Sequence, residues 1–299
     1  MKVAITGASG LAGTALGNAL GSDGHKIVRL VRPGGTALAD DARWNPAAGE
    51  LDAAALEGCD AAVNLAGASI GEGRWDEARK KVLRESRIDS TRVLVSGLAK
   101  LKGKPRVLVS ASAVGYYGDR GDEVLSEASG AGNDFLAKLA CDWEAEARKA
   151  EASGIRTVIL RFGVILSAHG GALPRMLTPF RMGVGGKLGS GKQWMSWLTL
   201  DEAVNLIRYA IDNSEQRGPV NAVSPNAVRN ADFTRTLAHV LGRPALFPAP
   251  AFALRLMLGE MADALLLSSQ RAAPRRLEAT SYSFRNPDLE PALRGLLGR

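Results

Sequence analysis

The sequence is poor in the two residue types that most often build disulfide frameworks and metal sites. Its 299 residues include two cysteines, Cys59 and Cys141, and three histidines, His25, His169 and His239. No Cys-x-x-Cys pair exists, so we expect two reduced thiols in a cytoplasmic protein. No two histidines have the spacing of metal ligands, and the sequence therefore predicts no metal site.

Long apolar segments are also absent. No run approaches the ~20 residues that a membrane-spanning helix needs. The chain opens with Met1-Lys2-Val3-Ala4-Ile5, which has the pattern of a buried strand rather than of a signal peptide. Apolar residues make up 46% of the chain and charged residues 23%, values that exclude a disordered chain. We therefore expect a globular protein with no membrane segment.

Acidic residues are scarce only in the second half of the chain. Residues 1–159 contain 21 basic and 21 acidic residues, whereas residues 160–299 contain 17 and 10, so the whole net charge of +7 arises there. An anionic substrate, a cofactor phosphate or nucleic acid would explain the excess, and so would an ordinary soluble surface. No compact Lys/Arg run carries interleaved aromatic residues, so we expect no nucleic-acid partner.

Short apolar strands alternate with helices over the first 165 residues. The pattern predicts strands at 3–5, 27–31, 61–65, 107–109 and 157–160, and helices at 11–22, about 74–99 and 134–151. This alternation predicts an α/β fold with a Rossmann-type doubly wound parallel sheet. Beyond it we predict a glycine-rich stretch of little periodicity at 167–196, helices at 201–211, 251–258 and 261–269, a strand at 220–223, and a helix to Leu241 with Asn230 as its N-cap.

A glycine-spaced turn follows the first predicted strand. Gly7, Gly10 and Gly13 form a Gly-x-x-Gly-x-x-Gly motif between that strand and the next helix. Gly7 permits a tight turn, Gly10 lets the backbone approach a pyrophosphate, and Gly13 lets the helix pack close to the strand. The N-terminus of the helix then faces the negative charge. The motif predicts a dinucleotide site at the start of the chain.

The end of the second strand distinguishes the two nicotinamide dinucleotides. An acidic residue there binds the ribose 2′-hydroxyl and selects NAD. Here the position holds Val31, followed by Arg32, with Arg29 two residues earlier. Because a guanidinium suits a 2′-phosphate, we predict NADP and assign Arg32 to that phosphate. An ordinary surface arginine is the alternative.

These patterns divide the chain into two parts. Residues 1–165 form a predicted NADP-binding Rossmann domain, to which part of about 195–225 returns. Residues 166–299 form a smaller C-terminal substrate-side region, with a C-terminal extension from about 247. Ligands of open α/β sheets bind at the carboxyl ends of the strands, so we expect the substrate at that end of the sheet.

Several motifs together resemble a known superfamily. Thr6-Gly7-x-x-Gly10-x-x-Gly13 with Asn64-Leu65-Ala66-Gly67 resembles the short-chain dehydrogenase/reductase superfamily, and the length is similar to its extended, epimerase type. Four further segments narrow the resemblance to the branch called "epimerase family protein", which is similar to NAD-dependent epimerases/dehydratases and has a C-terminal extension. These segments are Trp44-Asn45-Pro46, Gly115-Tyr116-Tyr117-Gly118, Arg161-Phe162-Gly163-Val164 and Trp197-Leu198-Thr199-Leu200-Asp201. The similarity covers nearly the whole chain.

This resemblance implies a set of cofactor-binding residues. Backbone N–H groups at Gly7, Ser9, Gly10 and Leu11 would hold the pyrophosphate. Leu65 and Ala66 would line the adenosine edge, Lys81 and Arg87 would approach from the long helix, and Ile165 would lie beside the nicotinamide. Taken alone, Lys81 and Arg87 would be read as a solvated helix face.

The resemblance breaks down at the catalytic residues. The superfamily uses a serine or threonine, a tyrosine, and a lysine four residues after it, whose charge helps the phenol to pass a proton. Ser112 matches the serine and Lys138 the lysine, but Asp134 stands at the tyrosine position. Asp134 would pair with Lys138 or cap the helix. Lys138 would bind ribose hydroxyls or be a surface lysine.

The missing phenol has two candidate replacements near Ser112. Tyr116 and Tyr117 follow it in sequence, and we predict one of their hydroxyls within about 6 Å of Ser112 Oγ. The alternative is that both tyrosines only shape the pocket. We also predict that part of the segment 185–197 covers the nicotinamide end. Its Gln193, Trp194 and Trp197, with the basic Arg161, Arg175, Arg181, Lys187 and Lys192, could contact substrate.

Two functions follow from these observations. The first is an NADP-dependent oxidoreductase or epimerase of a small substrate, for which an anionic or nucleotide-linked molecule is one option. The alternative is an NADP-binding protein with little turnover that acts through protein partners. The resembled family includes members named as cell-division inhibitors, and Asp134 favours this alternative. The identity of the substrate and the oligomeric state stay open.

Overall fold

An eight-stranded sheet forms the centre of the protein, in a computed structural model that describes all 299 residues. The strands are β1 (Lys2–Thr6), β2 (Lys26–Val31), β3 (Ala42–Asn45), β4 (Glu50–Leu51), β5 (Ala61–Asn64), β6 (Val107–Ala113), β7 (Val124–Leu125), β8 (Arg156–Phe162), β9 (Val164–Leu166), β10 (Trp194–Met195), β11 (Trp197–Thr199), β12 (Gly218–Ala222), β13 (Val228–Arg229) and β14 (Arg271–Ala272). The helices are α1 (Leu11–Ser22), α2 (Glu77–Lys100), α3 (Phe135–Arg148), α4 (Ala172–Arg181), α5 (Leu200–Asp212), α6 (Asn230–Leu241), α7 (Ala251–Leu258), α8 (Glu260–Ala262), α9 (Arg275–Glu278) and α10 (Leu289–Leu297). None of these helices combines the length and the apolar content that crossing a membrane requires.

The central sheet is doubly wound. Its strand order is β12-β8-β6-β5-β1-β2-β3-β4, and all neighbouring strands are parallel except β3 and β4. The chain begins in the middle at β1, proceeds outward through β2 to β4, crosses back to β5 and proceeds outward the other way. This order confirms the predicted Rossmann-type α/β fold. It also opens a crevice between β1 and β5, where such sheets bind ligands.

β1 shows why the sheet is buried on both faces. Val3 and Ile5 pack in the layer that contains α1 and α5, whereas Ala4 packs in the layer that contains α2. Successive side chains of a strand point to opposite faces, so a strand that is covered on both sides has a continuous apolar sequence. This continuous run is the pattern from which the strand was predicted.

The C-terminal region has a core of its own, while one segment returns to the sheet. Leu173 and Phe180 of α4 pack with Phe233 of α6 and Leu293 of α10. α5 packs on the central sheet, and β12 forms one edge of that sheet, where it pairs in parallel with β8. The C-terminal region is therefore built around α4, α6 and α10.

The buried carboxylate of Glu202 in α5 attaches the C-terminal extension to the sheet. It accepts a hydrogen bond from the hydroxyl of Tyr282 and from the backbone N–H groups of Arg285 and Asn286, at 2.8 and 3.0 Å. Burial and the hydrogen bond to Glu202 raise the pKa of Tyr282 far above its ordinary value. The extension is thus fixed by a fully buried polar group rather than by apolar contact alone.

Four local predictions differ from the structure. Where a helix was expected at 261–269, α8 ends at Ala262 and a π-helical turn follows at Asp263–Leu267. The long helix begins at Glu77 rather than near Arg74, because the side chain of Asp76 caps it. Asn230 is the first residue of α6 rather than its N-cap. The stretch 167–196, for which little periodicity was expected, contains α4.

Candidate functional site

The glycine turn after β1 lies at the crevice between β1 and β5. Gly7 has a φ of +65°, and a side chain there would place its Cβ 2.5 Å from the carbonyl oxygen of Leu65. At Gly13 a Cβ would lie 2.2 Å from the carbonyl oxygen of Gly7, so only glycine lets α1 approach the turn. Ser9 and Gly10 are exposed at the N-terminus of α1, where an anion meets the positive end of the helix dipole.

A buried polar network fixes the β5 side of the crevice. Thr6 Oγ1 donates to Asn64 Oδ1 at 2.8 Å and accepts the backbone N–H groups of Leu65 and Ala66 at 3.1 and 3.2 Å. Asn64 Nδ2 donates to Thr91 Oγ1 of α2 at 2.8 Å. These bonds hold Leu65 and Ala66, the residues expected at the adenosine edge, beside the glycine turn.

The C-terminal region borders the crevice next to α1. Gly170 and Gly171 pass so close to Leu11 that a Cβ on either would lie 3.2 Å from a methyl carbon of Leu11. Ile165 lies in β9, and its carbonyl oxygen is 3.7 Å from the Cβ position of Gly171. The structure therefore brings Leu11 and Ile165 to the same crevice.

The carboxyl end of β2 carries a free guanidinium. Arg32 is exposed, whereas Arg29 is engaged with Asp41, with 2.9 Å between Arg29 Nε and Asp41 Oδ1. The hydrogen bond from Arg29 holds the pKa of Asp41 below its ordinary range. Arg43 lies opposite Val31 in the neighbouring strand and is also exposed; we did not single it out from the sequence. Strand register across β2 and β3 is the only signal that would have found it.

α2 directs one of its two assigned basic side chains to the crevice. Arg87 packs against Gly67, where a Cβ would lie 3.0 Å from the guanidinium carbon, and donates to the carbonyl oxygen of Ala68 at 3.0 Å. Burial lowers the pKa of Arg87 to about 10. Lys81 is exposed and pairs with Glu85 at 3.7 Å, as on a solvated helix face. The structure places Arg87 at the site and Lys81 on the surface of α2.

Ser112 belongs to a buried charge network near the carboxyl end of β6. Its hydroxyl donates to Glu144 Oε1 of α3 at 2.8 Å. Arg161 of β8 donates to both carboxylate oxygens of Glu144, each at 2.8 Å. All three residues are at most 3% exposed. Because the serine proton is engaged by Glu144, Ser112 Oγ is free only as an acceptor.

The two tyrosines after Ser112 have different surroundings. Tyr117 is fully buried, donates to Asn221 Oδ1 at 2.6 Å and accepts from Arg161 Nη1 at 3.0 Å. Burial raises the pKa of Tyr117. The structure therefore corrects the assignment of Tyr117 as a proton donor, because its hydroxyl is inaccessible and already paired. Tyr116 is half-buried and stacks on Arg161, with 3.4 Å from the guanidinium carbon to the ring centre.

Helix periodicity separates Lys138 from the face of α3 that carries Glu144. Glu144 faces Ser112, and the residue one turn earlier on that face is Ala140, preceded by Leu136. The side chain of Leu136 lies 3.4 Å from the Cβ position of a glycine in the turn after β6. Leu136 and Ala140 therefore share the face of α3 that Glu144 presents to Ser112. Lys138 lies on another side of α3 and is exposed.

Asp134, four residues before Lys138, is the N-cap of α3. Its carboxylate accepts the backbone N–H of Ala137 at 2.8 Å. It forms no ion pair with Lys138 within 4.0 Å. Of the two roles considered for Asp134, the helix cap is confirmed, so this residue no longer bears on whether the protein turns over a substrate.

The glycine-rich segment 185–197 meets the crevice only at its C-terminal end. The carbonyl oxygen of Ser196 accepts the N–H of Val164 at 2.8 Å, directly after β8 and so at the carboxyl ends of the strands. Residues 185–191 pack instead along 247–249, where the N–H of Ala249 donates to the carbonyl oxygen of Lys187 at 2.9 Å. Most of the segment therefore contacts the C-terminal extension.

Two polar groups that were expected to contact substrate are occupied by backbone carbonyls. Gln193 is buried and donates to two carbonyl oxygens, at 3.1 and 2.9 Å. Trp197 is fully buried, and its indole N–H donates to a third carbonyl at 3.0 Å. Trp194 is half-buried between the guanidinium groups of Arg229 and Arg271, at 4.7 and 4.3 Å from the ring centre. Gln193 and Trp197 are therefore packing residues, which corrects their assignment.

The crevice thus combines three chemical features. The backbone of the glycine turn can approach an anion, and Arg87 supplies a buried positive charge. Ser112, at the carboxyl end of β6, and Tyr116, just after β6, carry hydroxyl groups. No three His, Cys, Asp or Glu side chains converge in a way that could hold a metal ion. The arrangement is suited to holding an anionic dinucleotide and to exchanging a proton with a hydroxyl or carbonyl group.

Two family models match the chain. The model of the NAD dependent epimerase/dehydratase family covers residues 3–223. The model of a domain of unknown function, DUF1731, covers residues 249–296. The first match spans the sheet with its crevice, and the second spans the extension that Glu202 attaches.

Relatives match over nearly the full length. Epimerase family protein Mb2239 of Mycobacterium bovis is 44% identical over 97% of this chain and 96% of its own. Human epimerase family protein SDR39U1 is 35% identical over 99% of this chain and 100% of its own. The crystal structure of human SDR39U1 (isoform2) with NADPH matches at a TM-score of 0.91 and 34% identity, over 100% of this chain and 99% of that chain.

Proposed function

Because the chain belongs to the NAD dependent epimerase/dehydratase family, we propose that it is an NADP-dependent oxidoreductase or epimerase of a small substrate. The glycine turn is the observation that carries this proposal, since Gly7 and Gly13 have no room for any side chain. Such a turn at the switch point of a doubly wound sheet brings the backbone against a pyrophosphate. An anionic or nucleotide-linked substrate suits the basic surroundings of the crevice.

The residues of the crevice fit a dinucleotide. Residues 7–13 would hold the pyrophosphate, Arg87 would add a positive charge beside it, and Arg32 would bind the 2′-phosphate. Leu65 with Ala66 would line the adenosine edge, and Ile165 the nicotinamide end. The human relative was solved with NADPH, which favours NADP over NAD. When bound, this cofactor supplies the hydride chemistry, and the protein supplies orientation and proton exchange.

We assign the proton exchange to Ser112 and Tyr116. Ser112 Oγ, whose proton is held by Glu144, is positioned to accept a hydrogen bond from a substrate hydroxyl. Tyr116 carries the one phenol of the pair that is partly exposed, and stacking on Arg161 fixes its ring. These two hydroxyls would replace the serine and tyrosine of the wider superfamily.

One observation favours a second function. The inward positions at which the superfamily spacing would put tyrosine and lysine hold Leu136 and Ala140. A protein with both groups replaced by apolar side chains could bind NADP without rapid turnover and act through a protein partner, as in cell division. Fold alone does not distinguish these functions, because the same fold supports both.

Arg32→Ala should weaken NADPH binding by about 10- to 100-fold, because a hydrogen bond to a charged group contributes about 1.5–3 kcal/mol. NADH, which lacks the 2′-phosphate, should bind the variant and the wild type alike. Titration of the intrinsic fluorescence with each nucleotide measures both affinities. Arg235→Ala, an exposed arginine of α6 that pairs with Asp232, is the control and should change neither. Equal affinity of the wild type for NADPH and NADH would contradict the assignment.

Turnover can be tested with a small molecule that co-purifies with the protein. Native mass spectrometry after gentle purification would give the mass of a co-purified small molecule, which is then offered with NADPH and with NADP⁺. Ser112→Ala and Tyr116→Phe should each slow its conversion by about 10²- to 10⁴-fold, the usual contribution of a positioned proton-transfer group. Full activity in both variants would remove the residue assignment. No conversion by the wild type would support the binding function instead.

A further inference from the structure

Exposed apolar side chains are concentrated on one part of the C-terminal region. Eleven large apolar side chains of the protein are exposed, and seven of them lie between residues 182 and 257. These seven, which together define the α7 surface, are Met182, Val184, Leu246, Phe247, Phe252, Leu256 and Met257. Single exposed apolar residues are ordinary, whereas a group of this size indicates a surface that a partner covers.

Backbone contacts join the two segments that form the α7 surface, 182–189 and 246–257. The N–H of Phe247 donates to the carbonyl oxygen of Gly185 at 3.1 Å. A Cβ on Gly189 would lie 3.7 Å from the first Cβ of α7. The exposed apolar side chains therefore belong to one continuous surface rather than to separate loops.

α7 itself is apolar on every side but is buried on only one. Seven of its eight residues are apolar, and Leu254 is its one buried residue. Phe252 and Leu256, which are one turn apart, are 73% and 77% exposed, and Met257 is 72% exposed. A helix that is apolar all round is normally covered all round. The outer face of α7 is therefore an apolar face that no other part of this chain covers.

The charge around the α7 surface is of one sign. Residues 152–200 and 233–259 contain no Asp or Glu. Arg181, Lys187 and Arg243 are exposed beside the apolar residues, and none of the three forms an ion pair within 4.0 Å. Arg181 and Arg243 line the same surface hollow, so their charges act at one place. A partner that complements this surface must combine apolar groups with negative charge.

The acidic residues that follow α7 do not cancel this charge, because other basic groups already pair with them. Asp263 pairs with Arg255 of α7, with 2.9 Å between Arg255 Nη2 and Asp263 Oδ1. Glu260 pairs with Lys80 of α2. The α7 surface therefore keeps a net positive charge.

We propose that the α7 surface binds an anionic lipid membrane. Phe, Leu and Met side chains enter the boundary between headgroups and acyl chains, while neighbouring Lys and Arg side chains attract negative lipids. A second copy of the chain fits the surface less well, because a two-fold interface places the same patch against itself and brings like charges together. In this arrangement the chain lies on the bilayer and does not cross it.

The α7 surface lies away from the cofactor crevice. Gly170 and Gly171 contact Leu11 of the glycine turn at the start of α4, whereas Arg181 is the last residue of that helix, about 15 Å along its axis. The segment 185–191 packs on the C-terminal extension. The inference therefore does not rest on the proposed function, and membrane binding is expected whether or not the crevice turns over a substrate.

The test is sedimentation of the full-length protein with lipid vesicles. One set of vesicles consists of phosphatidylcholine alone, and the other of equal parts of phosphatidylcholine and phosphatidylglycerol. The wild type should bind the anionic vesicles about 10-fold or more tightly than the neutral ones, because each basic side chain of the surface adds attraction to negative lipid. Added salt should remove most of this difference, since it screens exposed charges.

Two variants separate the apolar contribution from the charged one. Leu256→Gln should weaken binding to the anionic vesicles by about 10-fold or more, because a leucine side chain no longer enters the bilayer. Leu38→Gln, at a leucine that is 65% exposed between β2 and β3, is the matched control and should bind like the wild type. Arg243→Gln should weaken binding to the anionic vesicles alone, by about 5-fold, and Arg84→Gln, whose charge is paired with Asp142, is its control. All four positions are exposed, so urea unfolding should be unchanged.

The proposal is overturned if the wild type sediments with neither kind of vesicle, or with both kinds equally well. It is also overturned if Leu256→Gln binds the anionic vesicles as tightly as the wild type does. Light scattering then identifies the occupant of the surface. A wild-type dimer that Leu256→Gln converts to a monomer would mean that the α7 surface joins two copies of the chain, and a wild-type monomer would leave an acidic protein as the partner.

Discussion

Gly13→Ala should weaken NADPH binding by on the order of 100-fold or more, since small displacements of a positioning element cost about that much. The added Cβ would lie 2.2 Å from the carbonyl oxygen of Gly7 and 2.8 Å from Cα of Ala8, both backbone atoms of the turn. α1 must then move away from β1, and the turn loses the shape that lets it approach a pyrophosphate. Overpacking of this kind also lowers the free energy of unfolding, by about 1–3 kcal/mol.

Gly17→Ala provides the matched control for Gly13→Ala. Gly17 lies one turn further along α1, and nothing lies within 4 Å of the Cβ it would carry. Alanine is the better helix former, so this variant should be up to about 1 kcal/mol more stable than the wild type, with unchanged NADPH affinity. Urea unfolding and fluorescence titration measure the two effects. If the two variants bound NADPH equally well, the turn would not be the pyrophosphate site.

The glycine turn was predictable because its evidence is local. A strand, three glycines and a helix follow one another within residues 3–22. The positive φ of Gly7 and the close contacts of Gly10 and Gly13 with the carbonyl oxygen of Gly7 are all local. The same holds for the sheet, whose strands are continuous apolar runs because both faces are covered. Arg32 could be singled out in the same way, because the end of β2 is a fixed position in this fold.

The catalytic residues were less predictable because helix faces and distant partners decide them. The superfamily spacing, counted back from Lys138, placed the tyrosine position at Asp134. In the structure Glu144 bonds Ser112, so the face of α3 that is turned toward Ser112 includes Ala140 instead. Gln193 was expected to contact substrate because its amide can form hydrogen bonds. One of the carbonyl oxygens to which it donates lies 73 residues away in the sequence. Such contacts join separate segments, so the local sequence carries no signal for them.

One missed element did have a local signal. Leu173, Leu177 and Phe180 of α4 are all buried and recur at the spacing of one helix face. The glycines at 170 and 171 and the proline at 179 masked this periodicity. Pro179 lies inside this helix and leaves one position of its hydrogen-bond ladder without an N–H. A search for apolar spacing that ignored Gly and Pro would have found α4.

Replacing either Glu144 or Arg161 alone should destabilise the protein by about 3–5 kcal/mol, the usual cost of leaving one buried charge unpaired. Glu144 receives two bonds from Arg161 and one from Ser112, and both charged residues are at most 3% exposed. Arg161→Met leaves the carboxylate with only the partly exposed Arg148, whose Nη2 is 3.6 Å from Glu144 Oε2, and Glu144→Leu leaves the guanidinium without its carboxylate partner. Urea unfolding of each variant measures the loss.

The double variant Glu144→Leu with Arg161→Met should lose much less than the sum of the two single losses, since neither charge is then left unpaired. Arg92→Met, which breaks the ion pair of α2 with Glu146 two residues beyond Glu144, is the control. Arg92 is 51% exposed, so its loss should be below about 1 kcal/mol. Additive losses in the double variant, or a loss at Arg92 equal to that at Arg161, would contradict a coupled buried pair.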